Sequence, residues 1–345
     1  MRALRRLWPL WILLGAHTQE RSPADAPVQT TIADHHVHLL SPQLVADWKT
    51  LGATFSKEAS AYSSMADLLA PASDRPALEH ALIIPMAHFY GSAELRGALS
   101  LDEEGEWARV RNENDHCARE ARKTPGETIA FCSVDFLRPY AWKEIRRCRE
   151  EWQVRGVKLH LASAGADLRD EEQLAKLAAI ASWAEAERVA LLIHLDPQRR
   201  GLETSDVEHF LEKVLAPCPA LEVSIAHLGG SGGYGDWTRS VFRTITKWLK
   251  AEKEAGRPRP GFFLDVSAVW LERESEGVPP STEEQGQQLA KDLREAGFDR
   301  ILFASDYPVF DPFESIEAMK ESLPLEDEEW TTILKNRFPS VDRKR

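Results

Sequence analysis

Thr31-Ile32-Ala33-Asp34-His35-His36-Val37-His38-Leu39-Leu40 is the stretch whose reading decides the fold. Read as a strand, it sends His36 and His38 to one face and Val37 and Leu39 to the other, because side chains alternate along an extended chain. Two imidazoles held side by side can chelate one cation. His35 has the opposite parity and is not expected to be a ligand. A catalytic zinc ion takes three protein ligands plus water, so the rest of the chain must supply the others.

Downstream, short apolar runs alternate with amphipathic segments. The runs are Ala81 to Met86, Ile129 to Val134, Gly156 to Leu161, Val189 to His194, Val223 to His227, Phe262 to Ser267 and Ile301 to Asp306. Helices are expected over Glu106 to Lys123, Pro139 to Gln153, Asp170 to Glu187, Ser205 to Leu215, Trp237 to Glu254 and Thr282 to Ala296, then from Pro312 and from Glu326. With the opening strand this makes eight strands joined by crossovers, which implies parallel pairing. The α/β fold that uses all eight is the (β/α)8 TIM barrel. An open doubly wound sheet is the rival, but no GxGxxG or P-loop follows an early strand. Ser41 to Glu79 is longer than an ordinary loop. It reads as an insertion after the first strand, with a helix from Met65, of the kind that covers a site.

The chain has 345 residues and a formal charge of -12, which suits one barrel-sized domain and argues against a nucleic-acid partner. Its basic runs are short and diluted by Glu. Cys117, Cys132, Cys148 and Cys218 have no paired short spacing, which excludes a zinc ribbon and a CxxC redox site. Met1 to Arg6 is basic and Leu7 to Ala16 apolar, the pattern of an export signal and too short for a stable membrane span. Residues 1–29 therefore read as signal peptide and linker, and 30–345 as the barrel. This leader implies a periplasmic or secreted protein; without it the protein is cytoplasmic.

His36, His38, Lys158, His160, His194, His227 and Asp306 all fall at the C-terminal ends of expected strands. In a barrel those ends converge on the face that carries the active site. Any one of these histidines could be a satisfied core residue. A polar residue after each of several apolar runs is a much stronger signal.

These motifs, in this order, resemble the amidohydrolase superfamily, in the branch often called amidohydrolase 2, which holds metal-dependent hydrolases together with decarboxylases and hydratases. The resemblance lies in Ile32 to His38, Gly156 to His160, Leu192 to His194, Ile225 to Gly230 and Leu302 to Pro308. It implies that His36, His38, His194 and Asp306 bind one divalent metal, zinc first, with manganese or iron as alternatives. Asp306 would also take a proton from metal-activated water, and His227 would act as general acid or polarise the scissile group. A two-metal site bridged by a carboxylated Lys158, with His194 and His227 on the second ion, is the lesser alternative. The simplest reading of Lys158 is a salt-bridged lysine near the substrate, and of His160 a substrate contact.

Several other residues carry two readings each. The run from His227 to Gly235 is either a phosphate nest or, more simply, a sharp turn that glycine permits. Tyr234, Trp237 and Trp270 either line the pocket or pack helices on the barrel. Asp265 and Ser267 have the parity of supporting partners, and His80, His88, His116 and His209 carry no assignment. The expected activity is hydrolysis of a small-molecule ester, lactone or amide. The alternatives are decarboxylation or hydration of a carboxylic acid, or a non-catalytic binding barrel, and homo-oligomerisation is left open.

Overall fold

The structure is a computed structural model that describes residues 31–55, 58–70, 77–124, 128–196, 201–230, 232–272, 278 and 280–339. The expected leader and linker lie outside the described residues. The strands are β1 (Thr31–Val37), β2 (Ala77–Ile83), β3 (Thr128–Ala130), β4 (Cys132–Ser133), β5 (Gly156–His160), β6 (Ala190–His194), β7 (Val223–Ile225), β8 (Phe262–Asp265) and β9 (Ile301–Leu302). They run in the order β1-β2-β3 and β4-β5-β6-β7-β8-β9, and every pairing is parallel.

The expected third strand is delivered as β3 and β4 with Phe131 between them. Phe131 N–H still donates to Ile83 O at 2.9 Å, so the two segments form one barrel strand. The stretch after β9 meets β1: His35 N–H donates to Phe303 O at 3.1 Å, Asp306 N–H to His36 O at 2.9 Å and His38 N–H to Tyr307 O at 2.7 Å. The fold is the (β/α)8 barrel.

Strand parity sorts the side chains. Val37, Val157, Leu159, Leu191 and Ile193 join the apolar layer under the helices. Ala190, Leu192, Leu82, Ala226, Phe263 and Leu302 fill the interior with Phe131. Phe338, from beyond the last helix, completes that interior, its ring 5.6 Å from Phe263 and 6.2 Å from Phe131. On β5 and β6 the positions alternating with the outer layer are Lys158, His160 and His194; on β1 it is His36, and His38 follows with the same parity just past the strand's end.

Several boundaries differ from expectation. Ser41, followed by Pro42 at the first helical position, caps a helix at Pro42–Thr50 in the insertion, where weak periodicity gave no expected helix. A second unexpected helix spans Ala93–Leu99, capped by Ser92. The helix expected from Met65 is a single turn, Ala66–Leu69. The strand expected to reach His227 stops at Ile225, because His227 and Leu228 take left-handed φ values of 54° and 51°. Among the described residues no helix is long and apolar enough to cross a membrane.

Candidate metal centre

The C-terminal strand ends bring His36, His38 and Asp306 into one group. Asp306 Oδ1 lies 3.5 Å from His36 Nε2 and 3.3 Å from His38 Nε2. Ligand atoms about 2.1 Å from a tetrahedral ion stand roughly 3.4 Å apart, so these spacings suit a shared cation.

Each histidine is held in a defined tautomer. His36 Nδ1–H donates to Asp265 Oδ2 at 3.1 Å, and His38 Nδ1–H to Ile84 O at 2.7 Å. Both rings therefore turn Nε2 toward Asp306, and with an ion bound that nitrogen offers its lone pair, as metal-ligating histidines do. Burial and the nearby Lys158 ammonium hold the His36 pKa well below the ordinary imidazole value. For Asp306, burial pushes the carboxyl up, but the His38 hydrogen bond and the fields of His227 and His36 outweigh it. The carboxyl ends well below the usual carboxylate range and is ionised at neutral pH.

His194 stands beside this group, its ring stacked on His160 at 3.9 Å and edge-on to His227 at 4.7 Å. Its Nε2 is buried with no hydrogen-bond partner among the described residues. Leaving such an atom unpaired costs on the order of 1–3 kcal/mol, which a bound cation would offset. The chemistry of three imidazoles and a carboxylate suits a divalent ion of borderline hardness. The compact group is His36, His38 and Asp306; His194 is the neighbour with the unused nitrogen.

His227 is oriented from two sides. Its Nδ1–H donates to Ser267 O at 2.9 Å and its backbone N–H to Asp265 Oδ1 at 3.0 Å. The ring lies over His36 with centroids 5.0 Å apart, and the Nδ1–H bond to Ser267 O leaves Nε2 free to take or give a proton. The left-handed turn that produces this placement continues through Gly229, at φ 93°. A Cβ on Gly230 would lie 2.2 Å from Thr238 Oγ1, and one on Gly229 2.6 Å from Val241 Cγ1. These two glycines let the turn pack on the helix Asp236–Glu254, which accounts for them without a phosphate nest. Ser231 lies outside the described residues.

Lys158 is buried, with Nζ 3.3 Å from His36 Nε2. The expected salt-bridged lysine is thus corrected: its contact is an imidazole nitrogen, and the fields of Asp265 and Asp306 act on it without direct pairing. Burial pulls its pKa down to about 8 against those two carboxylates. His160 Nδ1 accepts the Ser163 N–H at 3.2 Å, capping the short helix Leu161–Ala164.

Tyr234 OH donates to Asp292 Oδ2 at 2.8 Å and Trp270 Nε1–H to Ser322 Oγ, so both tie loops at the strand ends to outer helices. His35 is fully engaged, with Nδ1–H donating to Phe303 O and Nε2 accepting the Phe338 N–H. Sequence reasoning missed Asp34, whose Oδ1 accepts His36 N–H at 3.1 Å and Ser305 N–H at 3.0 Å. Burial pushes its carboxyl up to about 7 despite those bonds. Its position two residues before His36 is a signal that could have found it. His88 is also drawn in, its ring 4.8 Å from that of His160. It follows β2 in a turn that periodicity does not mark.

A family model described as Amidohydrolase matches residues 33–335. No curated protein matches the chain. Among solved structures, a TIM-barrel protein from Bordetella bronchiseptica is similar at 16% identity and TM-score 0.56, covering 91% of this chain and 100% of that one. A dihydroxybenzoic acid decarboxylase from Polaromonas with bound manganese and an inhibitor is similar at 13% identity and TM-score 0.53, covering 88% and 94%. The 4-oxalomesaconate hydratase from Rhodopseudomonas palustris is similar at 14% identity and TM-score 0.52, covering 90% and 96%.

Proposed function

The chain belongs to the amidohydrolase family, and from that premise we propose that it is a metal-dependent hydrolase of small-molecule esters, lactones or amides. His36, His38, His194 and Asp306 would hold one divalent ion, zinc or manganese. Such an ion supplies Lewis-acid polarisation of a substrate oxygen and acidifies water. The observation that carries hydrolysis is the ionised Asp306 carboxylate beside both Nε2 atoms. An ionised carboxylate accepts a proton, so Asp306 serves as base toward the attacking water. His227 Nε2, after taking up a proton from solvent, delivers it to the leaving oxygen or nitrogen. Ser267 and Asp265 hold that ring in place, and Asp265 also orients His36.

A second reading is favoured by the similarity to a decarboxylase and a hydratase. In it Asp306 first takes up a proton from solvent and then hands it to the carbon that loses carbon dioxide, or water adds without cleavage. The test is a panel of esters, lactones, amides and carboxylic acids given to the metal-loaded protein. Release of an acid and an alcohol or amine supports hydrolysis. Carbon dioxide, or a product heavier by one water, moves the assignment to the second reading. A protein that takes up no metal when loaded and converts none of the panel would sink both.

A further inference from the structure

Cys132 and Cys148 are brought together by the fold although nothing in their spacing pairs them. Cys132 opens β4, in register opposite Val157 of β5. Cys148 follows the helix Ala141–Arg147, its N–H donating to Glu144 O and Ile145 O. Both are 0% exposed and share one apolar cluster with Val154, against which Trp152 packs. Their sulfurs and a Glu144 oxygen all lie within 4.8 Å of one another. The other two cysteines are engaged elsewhere: Cys117 Sγ–H donates to Leu39 O at 3.4 Å, and Cys218 Sγ lies 3.7 Å from Ser182 Oγ. All four are thiols in this structure.

Two buried sulfurs beside a carboxylate can serve a metal ion or one another, and the surroundings decide between these. A structural zinc ion takes four ligands, and its cysteines must be thiolates. Glu144, the third candidate ligand, is already met by donors on both oxygens. Asn114 Nδ2 and Arg147 Nη2 each reach Oε1 at 2.8 Å, while Trp107 Nε1 and Arg147 Nε reach Oε2 at 3.0 and 2.9 Å. The same Arg147 Nη2 stands 3.9 Å from Cys148 Sγ, placing positive charge where a cation would sit. Burial, with the Cys132 thiol and the Glu144 carboxylate, holds the Cys148 pKa well above the ordinary thiol value and so disfavours the thiolate. A disulfide is neutral and suits the apolar cluster. It costs the Cys148 Sγ–H contact to Glu144 Oε1 at 3.3 Å, and the carboxylate keeps its other donors.

We propose that Cys132 and Cys148 form an intrachain disulfide that staples the end of the helix Ala141–Arg147 to β4. The thiolate of one cysteine attacks an external disulfide, that of glutathione or of an oxidoreductase, and expels one thiol; the second cysteine attacks the mixed disulfide and expels the other. The chain loses two hydrogens, its two protons pass to the departing thiolates, and the oxidant becomes two thiols. The exchange takes place while the chain folds, because the closed cluster admits no oxidant. The same burial then shields the bond from reductants. None of this depends on the metal reading.

The test refolds the full-length chain from urea with zinc present, in one arm with oxidised and reduced glutathione and in the other with a phosphine reductant. Free thiols are alkylated under denaturing conditions, and the protein is weighed and peptide-mapped. The oxidised arm should keep two free thiols, Cys117 and Cys218, and show one linked peptide pair through Cys132 and Cys148; the reduced arm should show all four free. Oxidised protein should melt about 3–6 °C above reduced protein, the size expected of a cross-link closing a loop of about fifteen residues in a chain of this length. Cys132→Ser and Cys148→Ala should each abolish the difference between arms, and Cys218→Ala should keep it. The thiol count and peptide map of the wild type stand whether or not a variant folds. Four free thiols in the oxidised arm, a link through Cys117 or Cys218, or glutathione left on Cys132 or Cys148 would overturn the proposal. So would one equivalent of zinc that Cys132→Ser loses and His36→Ala keeps, which would make the pair a metal site.

Discussion

His36 on β1 and Asp265 at the end of β8 are joined by a 3.1 Å hydrogen bond from Nδ1 to Oδ2. The second oxygen of the same carboxylate accepts the His227 N–H at 3.0 Å and the Ser267 N–H at 3.2 Å, together with the Ser267 hydroxyl. One buried carboxylate therefore orients both a proposed metal ligand and the proposed proton carrier. Its burial is tolerable because donors meet both oxygens.

Asp265→Asn removes the charge and turns one oxygen into a donor facing His36 Nδ1–H. The imidazole must then give up its orientation or its tautomer. Metal affinity should fall about 10–100-fold, the range for a lost supporting partner, as measured by competition with a chromophoric chelator. Unchanged affinity would mean that His36 does not bind the ion through Nε2.

His194→Asn and His227→Asn should part company. The first removes the unpaired Nε2 and should lose metal and activity together. The second should keep its metal while the rate falls about 10²–10⁴-fold, the range for a lost general acid or base. Elemental analysis beside turnover separates them. A His227→Asn protein stripped of metal would make His227 a ligand.

The barrel was legible because parallel strands buried on both faces leave apolar runs that end at polar residues, as Ala190 to Leu192 do before His194. Parity along those runs placed His36, His38, Lys158 and His160 on the interior. The supporting shell was less legible. Asp34 and His88 act through hydrogen bonds to Ser305 and Ser133, which are remote in sequence, and no local period encodes such pairs. Lys158 was misread for the same reason. Strand parity says that a side chain points inward, not that its nearest partner there is an imidazole rather than a carboxylate. The sharp turn after His227 was legible in its glycines, but its start at His227 and Leu228 was not, because left-handed φ values at two non-glycine residues leave no mark in hydrophobic pattern.

Glu113, on the helix Glu103–Lys123, offers a pH test away from the metal ligands. It is fully buried, accepts the Ser41 N–H at 3.1 Å, and burial pushes its carboxyl up to about 7. Because the folded value lies above the unfolded one, its contribution is fully present below the unfolded pKa and is lost as pH rises through 7. Glu113→Gln removes that loss. From pH 5 to pH 8 the variant should gain on the wild type by about 2–3 kcal/mol at most, on the scale of 1.36 kcal/mol per unit. Urea unfolding at the two pH values measures it, and a difference that stays constant would refute the assignment.

Lys158 offers the last test, because its ammonium sits where a cation would approach His36. With Nζ 3.3 Å from His36 Nε2, the lysine occupies the lone-pair side of a proposed ligand and adds a like charge to the ion's surroundings. Binding a divalent ion therefore requires that this contact open and that the repulsion be met. Lys158→Met keeps the stem that fills the barrel and deletes the charge, so metal affinity should rise by about an order of magnitude, on the scale of 1.4 kcal/mol. Thermal stability should hold or improve, since a buried ammonium is costly. The opposite result is equally informative. A wild type that binds two equivalents and a Lys158→Met protein that binds one would mean that the lysine is carboxylated and bridges two ions, and the one-metal assignment of His194 would then be wrong.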